Sequence, residues 1–383
     1  MIAFTAKSLY TPLEHIEQPL LLVDGRTIAE ITSRSASAIP ANAKLVEYGD
    51  AVLAPGYMDI HMHGGGGRDV MDADASSLPI IQGVLAKHGV TSYLPTTVTA
   101  SLDTILASLD RLATAIEKFA ENGQGSQPLG IHIEGPFLNH ARRGVHPPAD
   151  LLKPTVKLFN QFWQASRGHI RVMTIAPELE GAIEVIAEAA KRGVRISMGH
   201  SDANLAQARA GVAAGARNIT HIFNAMPPFD HRDPGILGEA LTNSNLMTEV
   251  IADGIHVDPV TVRLVLQAKG IDGTILVTDA NAATDMPDGR YHLGTFEFEV
   301  KDGRCLAANG KLAGSILTMD KAVSNAMQFA NLELQQALRP ATLNPAKASG
   351  TDCGILKAGA QANFLVLSNT GELKKTILRG AEI

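Results

Sequence analysis

The chain has 383 residues, of which 45% are hydrophobic and 19% are charged, and its formal net charge is −6. This length exceeds an average domain but suits one large barrel with an accessory domain. The acidic balance and the lack of a basic run exclude the electrostatic footprint of a nucleic-acid-binding protein. The two cysteines exclude a disulfide scaffold and favour a reducing compartment. No leader-like segment opens the chain and no apolar stretch reaches the roughly 18 residues of a membrane helix, so we expect a cytoplasmic protein without a membrane partner.

The two chain ends share a pattern of short apolar runs broken by Gly, Asp and Pro, which is typical of small strands joined by turns. The N-terminal runs include PLLLVDG, TIAEI and KLVEYG, and the C-terminal segment contains NFLVLSNTGELKKTIL. We predict that residues 1–53 and 346–383 pair into one small β domain.

Between the two ends, apolar strand-like runs alternate with helical segments, as they do in βα units. The helical segment DTILASLDRLATAIEKFA repeats its apolar residues at spacings of three and four, and GAIEVIAEAAKRG ends on a typical helix stop. The candidate strands are VLAPGYMDIHMHG, TSYLPTTV, PLGIHIEGPF, IRVMTIAPE, VRISMGHS, NITHIFNAM, MTEVIADG and TILVTDA. Eight such strands predict a (β/α)8 barrel of the TIM type over residues 54–345.

Polar residues of the kinds that bind metals lie at the ends of these strands. They are His61 and His63 on the first strand, Glu134 on the third, His200 on the fifth, His221 within the sixth and Asp279 on the eighth. The C-terminal ends of barrel strands open onto one face, where barrel enzymes hold their catalytic groups. Because residues i and i+2 of a strand point to the same side, His61 and His63 can present two imidazoles to one point. Imidazole and carboxylate ligands without a thiolate suit zinc, iron(II) or a related divalent ion.

Each of these residues also has an ordinary structural explanation. A lone His-x-His is more often a pair of buried histidines satisfied by hydrogen bonds, and Asp279 alone would cap the turn after its strand. The four glycines after His63 either form a flexible turn or, in our interpretation, leave room around the metals. Coincidence accounts poorly for ligand-type residues on five strands, so we favour a metal site.

A series of short motifs extends from about residue 50 to the end of the chain. The motifs are APGYMDIHMHG, GIHIEGPFLN, RRGVHPP, MGHSDA, THIFNAM, HRDPG, ADGIHV, LVTDA, LAGSILTMDKAV and NPAKASG. Together they resemble the N-acetylglucosamine-6-phosphate deacetylases, a family within the amidohydrolase superfamily. The resemblance implies a catalytic (β/α)8 barrel and a small β-sandwich formed by both chain ends. It also implies hydrolysis of the acetamide of N-acetylglucosamine 6-phosphate to glucosamine 6-phosphate and acetate.

The resemblance implies specific roles for the strand-end residues. Glu134, His200 and His221 match the ligands of the better-occupied metal, and His61 and His63 match a pair that holds a second metal in some members. We therefore expect one or two divalent ions per subunit, zinc first and iron as the alternative. Asp279 matches the catalytic aspartate, which takes a proton from the attacking water and delivers it to the departing amine. We also count Asp279 among the candidate metal ligands.

The resemblance also implies a binding site for a sugar phosphate. His146, in RRGVHPP, matches a histidine near the substrate carbonyl, where a donor can stabilise the developing oxyanion. Arg232 and His256 match phosphate-binding positions, and in the family the arginine reaches the active site of the neighbouring subunit in a homodimer. Asn224 and Ala225 match the loop that contacts the same end of the sugar phosphate.

The loop after Asp279 departs from the family pattern and leaves other functions open. It reads NAATDMPDGRYHLG, with Asn281 where the family usually has an apolar residue. A deacetylase of N-acetylgalactosamine 6-phosphate or of another N-acyl amino sugar is therefore the alternative. A dihydroorotase-like enzyme or an N-acyl-amino-acid hydrolase is more distant, because Arg232 and His256 would have no phosphate to hold. The last alternative is an inactive sugar-phosphate-binding barrel, and the intact set of ligand-type residues argues against it.

Overall fold

The computed structural model describes residues 1–383, apart from the side chains of residues 121 and 122. Eight parallel strands form a nearly closed barrel, which confirms the predicted fold class. The barrel strands are Tyr57–Met62, Val90–Thr97, Ile131–Glu134, Ile170–Ile175, Arg195–Met198, Asn218–Ile219, Met247–Ile251 and Thr274–Val277. The last strand meets the first through a parallel bridge between Met62 and Ala280 and a hydrogen bond of 2.9 Å from the Asp279 N–H to the His61 carbonyl.

Helices connect the barrel strands around the outside. They are Ser77–Lys87, Leu102–Asn122, Val156–Ala165, Ala182–Lys191, Leu205–Ala214, Gly235–Thr242 and Pro259–Gly273, followed by Met319–Ala330, Leu334–Ala341 and Leu343–Ser349. Short 3-10 helices cover His140–Arg142 and Pro148–Asp150. Side-chain caps start several of the helices, as Ser101 does by accepting from the Thr104 N–H. In the described part of the chain, every helix is too short or too polar to cross a membrane.

The two chain ends form two additional sheets, as expected from their pattern. One sheet has the strand order Thr27–Ser33, Pro19–Asp24, Ile2–Thr5, Lys44–Glu47. The other has the order Ala381–Glu382, Leu373–Leu378, Phe364–Leu367, Val52–Pro55, Ser8–Tyr10, His15–Glu17. The ends meet where Val52–Pro55 pairs antiparallel with Phe364–Leu367. Phe4 and Leu21 from one sheet share a buried core with Phe364 from the other. The exact domain limits, 1–53 with 346–383, stay a prediction.

Some strands lie outside the predicted set. An antiparallel three-stranded sheet follows the eighth barrel strand and consists of Gly289–Leu293, Phe296–Lys301 and Arg304–Ala307. Two further short strands, Gly64–Gly65 and Arg68–Asp69, pair with each other just after the first barrel strand. Gln127–Pro128 pairs parallel with Ser92 and Tyr93, near the start of the second barrel strand. The three-stranded sheet reaches the C-terminal end of the barrel, where its Leu293 lines the same pocket as His63 and Glu134.

The barrel strands are buried on both faces, which explains their nearly continuous apolar runs. The first strand, Tyr57–Met62, is buried at every position. Against this apolar background, a few fully buried polar side chains stand out, among them Asp59, His61, His132 and Glu249. Burial of a polar group costs free energy unless the group is paired. These residues therefore indicate where the barrel interior makes specific polar contacts and can hold functional groups.

Candidate metal centre and substrate cleft

The predicted ligand residues converge at the C-terminal end of the barrel. His61 lies in the first strand and Glu134 is the last residue of the third, whereas His63, His200 and Asp279 lie one or two residues beyond their strands. All five are buried, with Asp279 the most exposed at 8%. Their side chains therefore meet in one largely water-excluded pocket.

The prediction that His221 lies within the sixth strand is wrong. That strand is only Asn218–Ile219, and His221 follows two residues later. Its backbone has a positive φ of 21°, and its N–H donates to the side chain of Glu249 in the neighbouring strand at 3.2 Å, instead of to a backbone carbonyl of that strand. His200 and Asp279 also have positive φ values, of 48° and 51°. Such backbone is uncommon outside glycine and concentrates at functional sites.

Glu134 stands at the centre of the site. Its Oε1 lies 3.0 Å from His221 Nε2, 3.1 Å from His200 Nε2 and 3.3 Å from His61 Nε2. Its Oε2 lies 3.3 Å from His63 Nε2. One carboxylate is thus surrounded by four imidazoles, which is a set of donors typical of a divalent metal centre.

Asp279 supplies the second carboxylate. Its Oδ1 lies 3.1 Å from His63 Nε2 and 3.7 Å from His61 Nε2. Ligand atoms of His61, His63 and Asp279 all lie within 4.8 Å of one another, and the same holds for His61, Glu134 and His221. His61 therefore lies between two groups, each of which can hold an ion.

The hydrogen bonds of three histidines show that the site fits a cation. His63 Nδ1 donates to the Thr96 carbonyl at 2.8 Å, and His200 Nδ1 donates to the Arg142 carbonyl at 3.0 Å, because a carbonyl can only accept. His61 Nδ1 likewise donates to a Glu249 carboxylate oxygen at 3.0 Å. In the neutral imidazoles, the lone pair is then on Nε2, the atom that faces the Glu134 or Asp279 carboxylate. Facing lone pairs repel unless a proton or a metal ion lies between them.

The pKa shifts of the site residues agree with a cation between the two carboxylates. Burial raises the pKa of Asp279, but the hydrogen bond from His63 and the charges of His61 and His63 outweigh it and lower the pKa to about 2. Burial lowers the pKa of His63, but Asp279 and Glu134 outweigh it and raise the pKa to about 9. Burial lowers the pKa of His200 to about 4 despite the opposing hydrogen bond to Glu134. The two carboxylates are therefore ionised, and positive charge is stabilised between them.

His146 differs from the other histidines in its tautomer. The backbone N–H of Thr99 donates to His146 Nδ1 at 3.2 Å, so the proton of the neutral ring is on Nε2. His146 Nε2 lies 3.5 Å from Glu134 Oε2, and ligand atoms of His146, Glu134 and His200 lie close together. Since a protonated nitrogen cannot bind a metal, we interpret His146 as a hydrogen-bond donor facing the cleft and not as a ligand.

A cleft of about 380 Å³ opens above these residues. Besides the ligand-type residues, its lining includes His146, Asn224, Ala225, His256 and Lys311. A larger cavity of about 910 Å³ lies between helices Ser77–Lys87 and Leu102–Asn122, and none of the ligand-type residues lines it. The chemistry of the smaller cleft therefore outweighs the size of the larger cavity as a guide to the active site.

The far side of the cleft carries a buried ion pair. His256 Nδ1 donates to Asp253 Oδ2 at 2.6 Å, and Asp253 Oδ1 accepts the backbone N–H groups of Ile255 and His256 at 2.8 Å each. Burial lowers the pKa of His256, but Asp253 outweighs it and raises the pKa. The raised pKa favours the cationic form of His256, which lines the cleft. Arg232 is exposed and does not line the cleft of its own chain.

The start of the unusual loop after Asp279 packs against the glycines that follow the first strand and not into the cleft. Asn281 is fully buried and its amide donates to the Ala313 carbonyl at 2.8 Å. A Cβ on Gly64 would lie 2.2 Å from the Arg68 carbonyl oxygen and 2.9 Å from the Ala282 nitrogen. The glycine at position 64 therefore makes room for this loop, which revises the interpretation of the glycine run as room for metals.

Several residues of the site were not predicted from the sequence. Thr99 contacts His146, Glu249 contacts His61, and Asp253 contacts His256. The fourth, Lys311, lines the cleft. Two of the four carry a readable signal. Glu249 is an acidic residue within a buried apolar run, and Asp253 stands three residues before His256 in the ADGIHV motif. Neither signal says which residue the carboxylate faces.

Comparisons with known proteins show what the whole chain is similar to. The model of the Amidohydrolase family matches residues 52–383. The N-acetylglucosamine-6-phosphate deacetylase of Bacillus subtilis (strain 168) is 37% identical over 362 residues, covering 93% of this chain and 90% of the relative. The N-acetylgalactosamine-6-phosphate deacetylase of Escherichia coli O157:H7 is 37% identical over 343 residues, covering 89% and 90%. A solved N-acetyl-D-glucosamine-6-phosphate deacetylase from Mycobacterium smegmatis, an aspartate-to-alanine mutant in complex with N-acetyl-D-glucosamine-6-phosphate, matches with a TM-score of 0.93 at 33% identity, covering 100% of this chain and 98% of that one.

Proposed function

Because the chain belongs to the amidohydrolase family, we propose that it hydrolyses the acetamide of N-acetylglucosamine 6-phosphate to glucosamine 6-phosphate and acetate. The observation that carries the proposal is the carboxylate of Glu134 among imidazole nitrogens, of which those of His61, His63 and His200 face it with their lone pairs. Such a centre suits metal-assisted hydrolysis, and the relatives named for this reaction match over most of the chain.

Members of this family depend on a metal, and we propose zinc, with iron(II) as the alternative. Glu134, His200 and His221 would hold one ion, since both imidazoles lie close to Glu134 Oε1. His61 and His63 with Asp279 would hold a second. The nitrogen and oxygen donors of the set, without a thiolate, fit either metal. When bound, the metal supplies a water of lowered pKa and polarises the carbonyl of the substrate.

Residues of the chain would then transfer the protons and stabilise the developing negative charge. The ionised Asp279 carboxylate accepts the proton of the attacking water and afterwards passes it to the nitrogen of the departing amine. The His146 Nε2–H donates a hydrogen bond to the carbonyl oxygen as negative charge develops there. The Thr99 N–H holds His146 in the tautomer that this role requires.

We propose that His256 binds the phosphate, with Asn224 and Ala225 lining the same part of the cleft. A cationic N–H buried beside a carboxylate is a rigid donor for an anionic oxygen. Since Arg232 lies outside its own cleft, we propose that it reaches the cleft of a second copy in a homodimer. The free thiols Cys305 and Cys353 suit the cytoplasm as the site of action.

N-acetylgalactosamine 6-phosphate is the second candidate substrate, and a relative named for that reaction is as similar to this chain as those named for the glucosamine epimer. The Asn281 side chain gives no reason to prefer either epimer, because it is buried in its own loop away from the cleft. The choice between epimers therefore depends on measured rates.

A steady-state assay decides between these substrates. Acetate release should be measured with both N-acetylated hexosamine 6-phosphates and with unphosphorylated N-acetylglucosamine, on protein whose metal content is known. We expect the highest kcat/KM for N-acetylglucosamine 6-phosphate and a much lower value without the phosphate. A higher value for the galactosamine epimer would reassign the substrate, and binding of sugar phosphates without any acetate release would identify an inactive barrel.

A further inference from the structure

We infer that Glu249 is a positioning residue of the metal centre, which prepares His61 to bind a metal by accepting a hydrogen bond from its Nδ1–H. The inference rests on the proposed metal-dependent function. Glu249 lies in the seventh barrel strand, Met247–Ile251, and is fully buried. It does not line the cleft, so any effect it has on the reaction must act through its neighbours.

The contacts of Glu249 define what it does to His61. Its Oε2 lies 3.0 Å from His61 Nδ1. The same oxygen accepts the backbone N–H of His221, so it is an acceptor toward His61 as well, and the imidazole proton is on Nδ1 and the lone pair on Nε2. His61 Nε2 has no hydrogen-bond partner and lies in the gap between Glu134 and Asp279. A second hydrogen bond of this kind sets the tautomer and the ring orientation of a metal-binding histidine.

Glu249 also reaches the other part of the centre. The same Oε2 accepts the backbone N–H of His221 at 3.2 Å, at the position where the backbone leaves the sixth strand. One carboxylate oxygen thereby holds a predicted ligand of each metal. A shift of Glu249 would move His61 relative to His221.

Stability alone does not explain a carboxylate at this position. Glu249 Oε1 has no hydrogen-bond partner, and His61 is the one ion-pair partner found for Glu249 among the described residues. A buried charge with incomplete pairing costs free energy, and an apolar residue of similar volume is often as stable or more so. The carboxylate is therefore better explained by what it does to His61 than by what it adds to folding.

Two substitutions separate positioning from a structural role. Glu249→Gln keeps an oxygen acceptor for His61 Nδ1 and for the His221 N–H, whereas Glu249→Leu removes the acceptor and keeps an apolar side chain of similar size. Thr248→Val is the matched control on the same strand, because the buried Thr248 hydroxyl has no hydrogen-bond partner to lose.

The test is a zinc titration of metal-free protein against a competing chelator. We expect wild type to bind two equivalents and Glu249→Leu to bind the second about 10- to 100-fold more weakly, as for other residues that orient metal ligands. Glu249→Gln and Thr248→Val should stay near the wild-type affinity. Equal weakening in the Gln and Leu variants, no weakening in either, or a wild type that binds fewer than two equivalents would overturn the inference.

A second measurement covers the case in which Glu249→Leu does not fold. In 15N NMR spectra of zinc-loaded wild type, His61 should have a protonated Nδ1, and its signals are assigned by their loss in His61→Gln. Protonation at Nε2 instead would overturn the inference. Zinc affinity and acetate release are separate readouts, so a protein that binds two equivalents but releases no acetate refutes the proposed function while the affinities still decide the role of Glu249.

Discussion

Replacement of Asp279 by Asn removes one carboxylate charge from the cleft while the side chain keeps nearly the same volume. Asp279 Oδ1 lies 3.1 Å from His63 Nε2, and an amide oxygen can keep that contact. The amide cannot, however, take a proton from the attacking water or deliver one to the amine. We therefore expect Asp279→Asn to fold and to bind metal through Glu134, His200 and His221, but to turn over slowly.

The size of the loss follows from the role. General acid–base catalysis contributes about 10²- to 10⁴-fold to a rate, which corresponds to about 3–5 kcal/mol of transition-state stabilisation. The loss should fall on kcat, because the phosphate end of the cleft at His256 is untouched. KM should change far less than kcat.

The assay is the initial rate of acetate release from N-acetylglucosamine 6-phosphate, with metal content measured on the same samples. Asp285→Asn is the matched control, because Asp285 forms an ion pair with Lys87 and does not line the cleft. A kcat of Asp279→Asn within about tenfold of wild type, at equal metal content, would refute the assignment of Asp279 as the proton-transfer residue.

Other changes test the remaining parts of the site. The double variant His61→Gln/His63→Asn should bind one metal fewer and keep part of its activity, and elemental analysis that finds no metal at all would contradict a division into two sites. Because Asp253 raises the pKa of His256, the cationic form persists above the ordinary value of about 6.5 and is lost as pH rises through the raised pKa. KM for the phosphorylated substrate should rise over that range, Asp253→Asn should move the rise to lower pH, and identical pH profiles would refute the role of the pair. Gly64→Ala should lower Tm, since its Cβ would lie 2.2 Å from a backbone oxygen and overpacking costs about 1–3 kcal/mol; a thermal melt that matches wild type would contradict this.

The strand ends are the part of the site that sequence predicts best. Glu134 and Asp279 each end an apolar run, and in a barrel such positions open onto one face. His221 is less predictable, because the apolar residues around it continue past the true end of the strand. The backbone turns there, so that the His221 N–H donates to the Glu249 side chain. No local sequence pattern predicts this contact.

Tautomers and long-range partners are not predictable from the sequence. His61 and Glu249 are 188 residues apart, and only barrel closure brings them together. His132 stands two residues before Glu134, yet its Nδ1 lies 3.0 Å from the Ile60 carbonyl and its Nε2 2.8 Å from Thr174 Oγ1. Both ring nitrogens of His132 have hydrogen-bond partners. This is the usual state of a buried histidine that binds no metal.

The three-stranded sheet after the eighth barrel strand could have been recognised. Its middle strand, Phe296–Lys301, has the sequence FEFEVK, and its apolar and polar residues alternate as in a half-buried strand. The alternation is harder to recognise in its two neighbours, because those strands have only five and four residues. The sheet matters because Leu293, the last residue of its first strand, and Lys311, four residues after its last strand, line the cleft.

Stepwise reconstitution with zinc tests the metal-dependent deacetylation most directly. Metal-free protein should be prepared with a chelator, and acetate release from N-acetylglucosamine 6-phosphate should be followed as zinc is added. We predict no turnover above the uncatalysed rate without metal and activity that appears with the first equivalent, which binds at Glu134, His200 and His221. Full turnover by the metal-free protein, or no acetate release from protein loaded with two equivalents, would contradict the proposal.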